Sequence, residues 1–564
     1  MSDTIETMQD AQPSPTNEPT TPPIVPMQVE TVDEESAQPQ RSKIRLTAIL
    51  TALYLSLFVA ALDQTIVATA IPTIAAHLHS AAGYTWIGGA YVLAKAATMP
   101  LWAKFSDIWG RKPILLAGLA IFFVASVVCA AAPTMAALIA GRALQGVGGG
   151  ALMQLVTITI SDLFSMRRRS LWMVFTDVTW AVAGGVGPVL GGALAQLVSW
   201  RWVFWINLPA IGAAFVLVAA CLNVHDPKTK IADGCRAIDW YGTVAILGLT
   251  LMMLLGLDFG GAIFPWSSPK VVCLLVFGAL MLGFFVFSEK KLAVYPLMPM
   301  RLFNQKSNVA SLVSGCVTAF VAVAAEYYLP LYFQSSKGAS PIRSGVLVLP
   351  LILTTASAAA SSGMLIHRTG EYRLILQVGM VFMTLGVGLF ILFNTDTSIA
   401  TIVGVEVIAG IGIGLCFLPP LIALQAHVVQ DDTATATSTF GFLGNLANAL
   451  SIVIGGVVFQ NSMELREKAL ARAGLPAVLS DQLSGHHAAA NVELIGTIND
   501  PVLRHAVKDA FSWSMRNMWI LYASMAACGI IASFFLSKVV LSNEHTETKT
   551  GIKRKGPEPV SASS

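Results

Sequence analysis

Four ionisable side chains stand inside long apolar runs of this chain: Asp63, Arg142, Asp177 and Glu326. A charge at the centre of a hydrocarbon layer costs about 2.5–3.5 kcal/mol on insertion scales, so such groups face a cavity or a partner. Asp63 and Arg142 lie toward the same side of their runs, at a similar depth, and can meet. A carboxylate placed between a desolvating site and a movable guanidinium is a proton switch. The same pair can equally be a static clamp between helices. Gln145, three residues after Arg142, shares its helical face. Glu326 neighbours Tyr327, Tyr328 and Tyr332 and either lines a cavity wall or snorkels to the interface. Asp177 lies nearer Arg167, Arg168 and Arg169 and reads as structural. Glu406 is a fifth ionisable candidate, an acid without an assigned partner.

The elements that must position these groups are membrane helices. The chain has 564 residues, 55% of them hydrophobic and only 12% charged, about half the charge of a soluble protein. The apolar residues recur in runs of ~20, the length of a bilayer-crossing helix. Fourteen spans are expected: 46–72, 84–103, 113–132, 135–161, 171–197, 202–222, 239–258, 270–288, 308–333, 343–366, 372–393, 399–424, 433–460 and 518–541. Residues 1–45 read as a disordered, acidic cytosolic tail and 542–564 as a second cytosolic tail. Residues 461–517 read as a long extracellular or luminal loop in which Glu464–Ala473 has helical charge patterning and Asp500–Trp513 can form an amphipathic helix. Lys and Arg concentrate in alternate loops, at Arg111–Lys112, Arg167–Arg169, Lys228–Arg236, Lys290–Lys306 and Arg368–Arg373. That bias places both termini in the cytosol. The shortest basic loop lies within Trp102–Leu116, WAKFSDIWGRKPILL, where Gly110 and Pro113 break helix. Asp107 there can cap a helix or pair with Arg111.

Several function classes are excluded by what is absent. A net charge of +3 is too small for a nucleic-acid partner. No GxxxxGK[ST] loop is present, so ATP drive is not expected. No HExxH, nucleophile elbow or CxxC supports an enzyme. The seven cysteines have no metal-ligand spacing. His486–His487 lacks a third ligand nearby, so no metal and no cofactor is expected beyond a proton gradient as energy source.

The second half of the chain echoes the first. Gly363 to Gly370 has the layout of Ala103 to Gly110. Gly410, Gly412 and Gly414 echo Gly146, Gly148 and Gly150, and Gly455–Gly456 echoes Gly191–Gly192, each at an offset of about 260 to 264 residues. Two related six-helix halves, 46–222 and 308–541, with 239–288 inserted between them, are the architecture of alternating-access transporters.

At this point the sequence resembles a family. Ser106-Asp107-Ile-Trp-Gly110-Arg111-Lys112-Pro is similar to the helix 2–3 loop signature of the major facilitator superfamily, with Ala103 and Ile108 departing from it. Arg142-Ala-Leu-Gln145-Gly146-Val-Gly148 resembles its helix 4 signature. Gly184-Gly-Val-Gly187-Pro188-Val-Leu-Gly191-Gly192 resembles the helix 5 motif of drug:proton antiporters. Leu62 to Pro72 resembles helix 1 of the fourteen-helix branch, and Tyr328 to Gln334 resembles helix 9 of fungal members. The resemblance implies a major facilitator fold and a proton-coupled exporter of the fungal toxin or multidrug efflux type. Asp63, Arg142, Gln145 and Glu326 would sit at the coupling site or central cavity. Asp107, Gly110, Arg111 and Lys112 would form a gating loop. Gly184, Gly187, Pro188, Gly191 and Gly192 would form the antiporter seam. The expected partners are a small amphipathic organic substrate, protons and the lipid bilayer of the plasma membrane, or alternatively of the vacuole. Uptake or vacuolar storage of a siderophore or basic amino acid, or a nutrient receptor on a transporter fold, are the rival readings.

Overall fold

The computed structural model describes residues 43–551 except 79–82, 226, 262–263, 294, 484, 486–487, 490 and 542–549. Residues 1–42 of the expected N-terminal tail, the His486–His487 pair and most of the C-terminal tail lie outside the described residues, while residues 43–45, expected in the tail, open the first helix. The rest is helical: α1 (Lys43–His77), α2 (Gly83–Trp109), α3 (Arg111–Ala131), α4 (Met135–Leu163), α5 (Met166–Leu197), α6 (Trp202–Trp205), α7 (Asn207–Cys221), α8 (Ile231–Ala237), α9 (Trp240–Phe259), α10 (Pro269–Lys291), α11 (Lys306–Ser335), α12 (Pro341–Thr369), α13 (Arg373–Leu389), α14 (Ile399–Ala426), α15 (Thr433–Arg472), α16 (Ala477–Gln482) and α17 (Pro501–Phe534).

Among the described residues thirteen spans are long and apolar enough to cross a membrane, α6 and α7 counting as one. The sequence reading expected fourteen. The difference is α2, which has 27 residues but carries Lys95 and Lys104. It packs into the same bundle, chiefly against α4.

Helices α2, α3, α4, α6 and α7 pack mainly with one another, as do α11 to α15 with α17, while α5 packs chiefly against α12. The inserted α9 and α10 pair with each other, and α9 also touches α2 and α15. Glycines explain how closely helices approach within each half. In α4, a methyl added at Gly146 or Gly150 would strike the α2 backbone at Tyr91 or Lys95, and one at Gly148 would come 2.8 Å from the backbone nitrogen of Phe122 in α3. In α14, Gly410 and Gly414 meet α12 at Thr354 and Thr355, while Gly412 meets α13 at Met383. The same alternation, two glycines toward one neighbour and the middle one toward the other, gives the sequence repeat a three-dimensional form.

Two expectations are corrected. Residues 461–517 are not one long loop: α15 continues to Arg472 and α17 starts at Pro501. Hydropathy cannot see these extensions because they are polar. The start of α17 is set by Asp500, whose side chain accepts from the backbone N–H of Val502 and Leu503, with Pro501 in the first helical position. The turn within Trp102–Leu116 is also shorter than expected. Helix α2 runs to Trp109 and α3 begins at Arg111, leaving Gly110 alone between them with φ +91°, a conformation that favours glycine. Asp107 therefore lies inside the last turn of α2 and caps nothing.

Replacing Gly412 with alanine would drive a methyl into the α13 backbone. Overpacking of this kind costs about 1–3 kcal/mol. We expect Gly412→Ala to lower the midpoint of thermal unfolding in detergent. Gly404→Ala, in the same helix but with open space at its Cβ position, should leave it unchanged.

Candidate functional site

Two of the ionisable groups in the first half, Asp63 and Arg142, meet at one point. Arg142 Nη1 donates to Asp63 Oδ2 at 2.5 Å and to Gln145 Oε1 at 2.7 Å. Gln145 Nε2 donates to Asp63 Oδ1 at 2.8 Å and to Ser126 Oγ at 3.0 Å. Asn207 Nδ2 also donates to Asp63 Oδ1, at 2.8 Å. Arg142 Nε donates to the Ile87 carbonyl at 3.0 Å, and its guanidinium lies 4.5 Å from the Tyr91 ring centroid. Asp63 and Gln145 are fully buried, and Arg142 and Asn207 nearly so. One carboxylate thus holds α1, α4 and α7 together, with α2 and α3 attached through Ile87 and Ser126. Buried charges survive only when paired and hydrogen-bonded in this way. Protonating Asp63 would remove the charge that Arg142 and Asn207 both address.

Helix α5 meets α1 next to this network. Gly187 and Gly191 leave no room for a methyl against Thr65 and Ile66, and Thr65 Oγ1 donates to the Ala183 carbonyl at 2.9 Å. Gly184 and Gly192 have nothing within 4 Å of a Cβ position. Only part of the helix 5 motif is therefore a packing seam. Pro188 lies inside the helix.

The second cluster lies at the end of the bundle that carries the basic loops, here termed the basic end. Arg111 Nη1 donates to Asp107 Oδ1 and Ser106 Oγ, both at 2.6 Å. Arg111 Nε donates to Asp162 Oδ2 at 2.7 Å. The guanidinium ties α2 and α3 to the end of α4. Lys112 Nζ donates to the Ala219 carbonyl of α7 at 2.6 Å. Gly110 lies against Pro227. The backbone N–H of Gly551 donates to the Asp107 carbonyl at 2.7 Å, bringing a piece of the C-terminal segment to the loop.

The side-chain hydrogen bonds described between the halves lie between the bundle's middle and its basic end. Arg169 Nη1 donates to Gln425 Oε1 at 2.9 Å, and Gln425 Nε2 donates to Ser161 Oγ at 3.1 Å. Arg167 Nε donates to the His367 carbonyl at 2.7 Å, and its Nη2 donates to the Arg368 carbonyl. Thr435 Oγ1 reaches Asp107 Oδ2 at 3.5 Å. Gly363 of α12 sits against Val174 and the Ser170 carbonyl of α5. The basic end is closed.

Other sequence candidates fall outside these clusters. Glu326 is exposed on α11 beside exposed Tyr327 and has no hydrogen-bond or ion-pair partner among the described residues. Tyr328 and Tyr332 turn inward and donate to the carbonyls of Ile452 at 2.5 Å and Asn394 at 2.8 Å. Asp177 is half-buried and makes no ion pair with Arg167–Arg169. Glu406 is fully buried with both carboxyl oxygens unbonded among the described residues. Asn207, Asp162 and Lys95 were not singled out from the sequence. An asparagine within an aromatic run, an aspartate at a helix end and a lysine mid-span were the available signals. Asp162 and Asn207 matter only through partners distant in the chain.

These features define a polytopic helical membrane protein with two glycine-packed bundles, a buried ionic network in one and a polar closure joining both. The chain belongs to the major facilitator superfamily, whose model matches residues 53–452. It is 42% identical over 524 residues to a protein named efflux pump dotC of Dothistroma septosporum, covering 92% of this chain and 89% of that one. It is 42% identical over 531 residues to the MFS-type transporter ppz2 of Metarhizium majus, covering 94% and 90%. It is 34% identical over 532 residues to efflux pump FUS6 of Gibberella moniliformis, covering 93% and 94%. Among solved structures, the proton:xylose symporter XylE superposes with a TM-score of 0.55 at 12% identity, covering 90% of this chain and 98% of that one. That likeness concerns the fold alone.

Breaking a buried pair by removing one partner costs about 3–5 kcal/mol. We expect Asp63→Ala to lower the thermal midpoint of the purified protein sharply. Asn207→Ala should lower it less, by the equivalent of about 1–3 kcal/mol, because Arg142 and Gln145 still satisfy the carboxylate. Gly363→Val should pry α12 from α5. It should increase labelling of a cysteine placed at Ser170 by a membrane-impermeant thiol reagent, relative to the same cysteine with Gly363 intact.

Proposed function

We propose that the chain is a secondary active transporter that exports small amphipathic organic molecules, drugs or secondary metabolites, in exchange for protons. Membership in the superfamily supports transport rather than enzyme chemistry. Near end-to-end similarity to proteins named efflux pumps supports the export direction. The observation that carries proton coupling is the buried Asp63–Arg142–Gln145–Asn207 network. A proton on Asp63 neutralises the anchor of three helices in a single step, so the bundle's packing follows its protonation. Glu326, exposed on α11, is the second candidate.

In this reading the basic end is cytosolic, by the Lys/Arg bias of its loops, and the structure represents the state closed to the cytosol. The cycle alternates between this closure and an opening of the Arg167, Arg169 and Gly363 contacts, with substrate between the halves. About 2.3 kcal/mol per charge per 100 mV is available from the membrane potential, added to the proton gradient. Both termini are cytosolic and the membrane is the plasma membrane. A lipid bilayer and protons are then the standing partners, with no cofactor.

The test is substrate-dependent proton movement in proteoliposomes. Wild type should move protons opposite to substrate. Asp63→Asn should abolish the proton component, while Glu326→Gln separates the second candidate. Movement of both in one direction would sink the export reading in favour of uptake.

A further inference from the structure

Lys95 is a cation that the network above does not use. It lies near the middle of α2 and is nearly buried. Its Nζ donates to Gln64 Oε1 at 2.8 Å and lies 5.9 Å from the Tyr91 ring centroid. It forms no ion pair among the described residues. An ammonium has three donors, and one is engaged. Gln64 is half-buried, and its amide N–H groups make no hydrogen bond among the described residues.

The position is at the junction of the halves. The Lys95 backbone lies against Gly150 of α4, and its side chain reaches α1. One turn further along α2, Met99 touches the second half: Asn445 Nδ2 of α15 donates to Met99 Sδ at 3.4 Å. Gly441 of α15 lies against Met99 and Gln154. Contacts between the halves have closed up to Met99, and Lys95 stands one turn beyond that contact, away from the basic end. Arg142 is answered by the carboxylate of Asp63, and Arg111 by those of Asp107 and Asp162. Lys95 has an amide oxygen and unused donors.

We propose that Lys95 and Gln64 form the anion-recognising subsite of the substrate cavity, and that the cargo is an organic anion presenting a carboxylate or phenolate oxygen. The substrate oxygen accepts from the free ammonium donors and from the Gln64 amide, and supplies the missing counter-charge. An unanswered charge in a low-dielectric site is costly, so an anionic ligand gains there what a neutral or cationic one does not. Gln64 follows Asp63 directly on α1. Occupation of the subsite therefore bears on the same turn of helix that carries the proton-binding carboxylate.

The inference rests on the transport reading above, and the test keeps the two apart. Cells of a host lacking its own efflux pumps would be loaded with fluorescein, an anionic dye, or rhodamine 6G, a cationic dye of related ring system. Efflux would be followed for wild type, Lys95→Arg, Lys95→Gln and Lys95→Glu at matched surface abundance. We expect wild type to prefer fluorescein, Lys95→Arg to keep that preference and Lys95→Gln to lose about tenfold, the loss that ~1.4 kcal/mol represents. Lys95→Glu should favour rhodamine 6G. Export of rhodamine 6G without fluorescein by wild type, or unchanged fluorescein export in Lys95→Gln, overturns the proposal. The wild-type preference decides even where Lys95→Gln does not fold. Should neither dye leave the cells, fluorescein anisotropy on purified protein separates the readings. Binding lost in Lys95→Gln keeps the anion subsite and counts against export, whereas no binding by wild type overturns the subsite.

Discussion

A charge that water cannot reach must be answered by protein, and for Arg142 in the first half of this molecule the answering carboxylate is Asp63. Asp63 receives an arginine, a glutamine and an asparagine from two other helices. None of these groups could be left in hydrocarbon alone. Their positions are mutually determined: α4 must turn Arg142 and Gln145 toward α1, and α7 must bring Asn207 to the same depth. The glycines of α4 make that possible, because they let α2 and α3 lie close enough for Ile87 and Ser126 to join. Packing and polarity are here one constraint. The alternation of Gly146, Gly148 and Gly150 sets the depth at which the ionic network closes.

The two halves use the same backbone device with different chemistry inside it. The repeat brings Gly410, Gly412 and Gly414 to equivalent seams in α14. At the repeat offset Arg142 corresponds to Glu406, which stands buried without partners. A duplicated scaffold has thus diverged at its charged positions while keeping its close approaches. Close approaches depend on the size of a side chain, and buried charges depend on partners from several helices. The first is harder to alter piecemeal than the second.

That difference also explains what could be read from the sequence. Apolar runs and glycine spacing are local properties, so the helices and their repeat were legible. The Asp63–Arg142 contact was legible as a possibility, because both residues were costly in their runs. Asn207 and Asp162 were not, since a polar residue near a helix end is ordinary until its partner is known. Lys95 lies within a span of sufficient length, and with Lys104 it lowers the apolar character of α2. At the polar ends of α15 and α17 helical patterning was legible, but not that it continues the membrane spans without a break, because hydropathy reports contact with lipid and not hydrogen bonding along the backbone.

Those polar ends have a mechanical consequence. Helix α15 has 40 residues, a length of about 60 Å, roughly twice the hydrocarbon thickness of ~30 Å. Its projecting part is bound to α17 by Asn517 Nδ2 donating to Ser462 Oγ at 3.2 Å, by Phe459 against Phe511 and by Arg466 over Trp513. The pair forms a rigid projection rooted in the second bundle at the end opposite the basic end, with α15 longer than one crossing of the hydrocarbon requires. Any tilt of that bundle is magnified at the tip in proportion to its height. A small tilt of the second bundle would therefore be read out as a larger displacement at the far end of this helix pair.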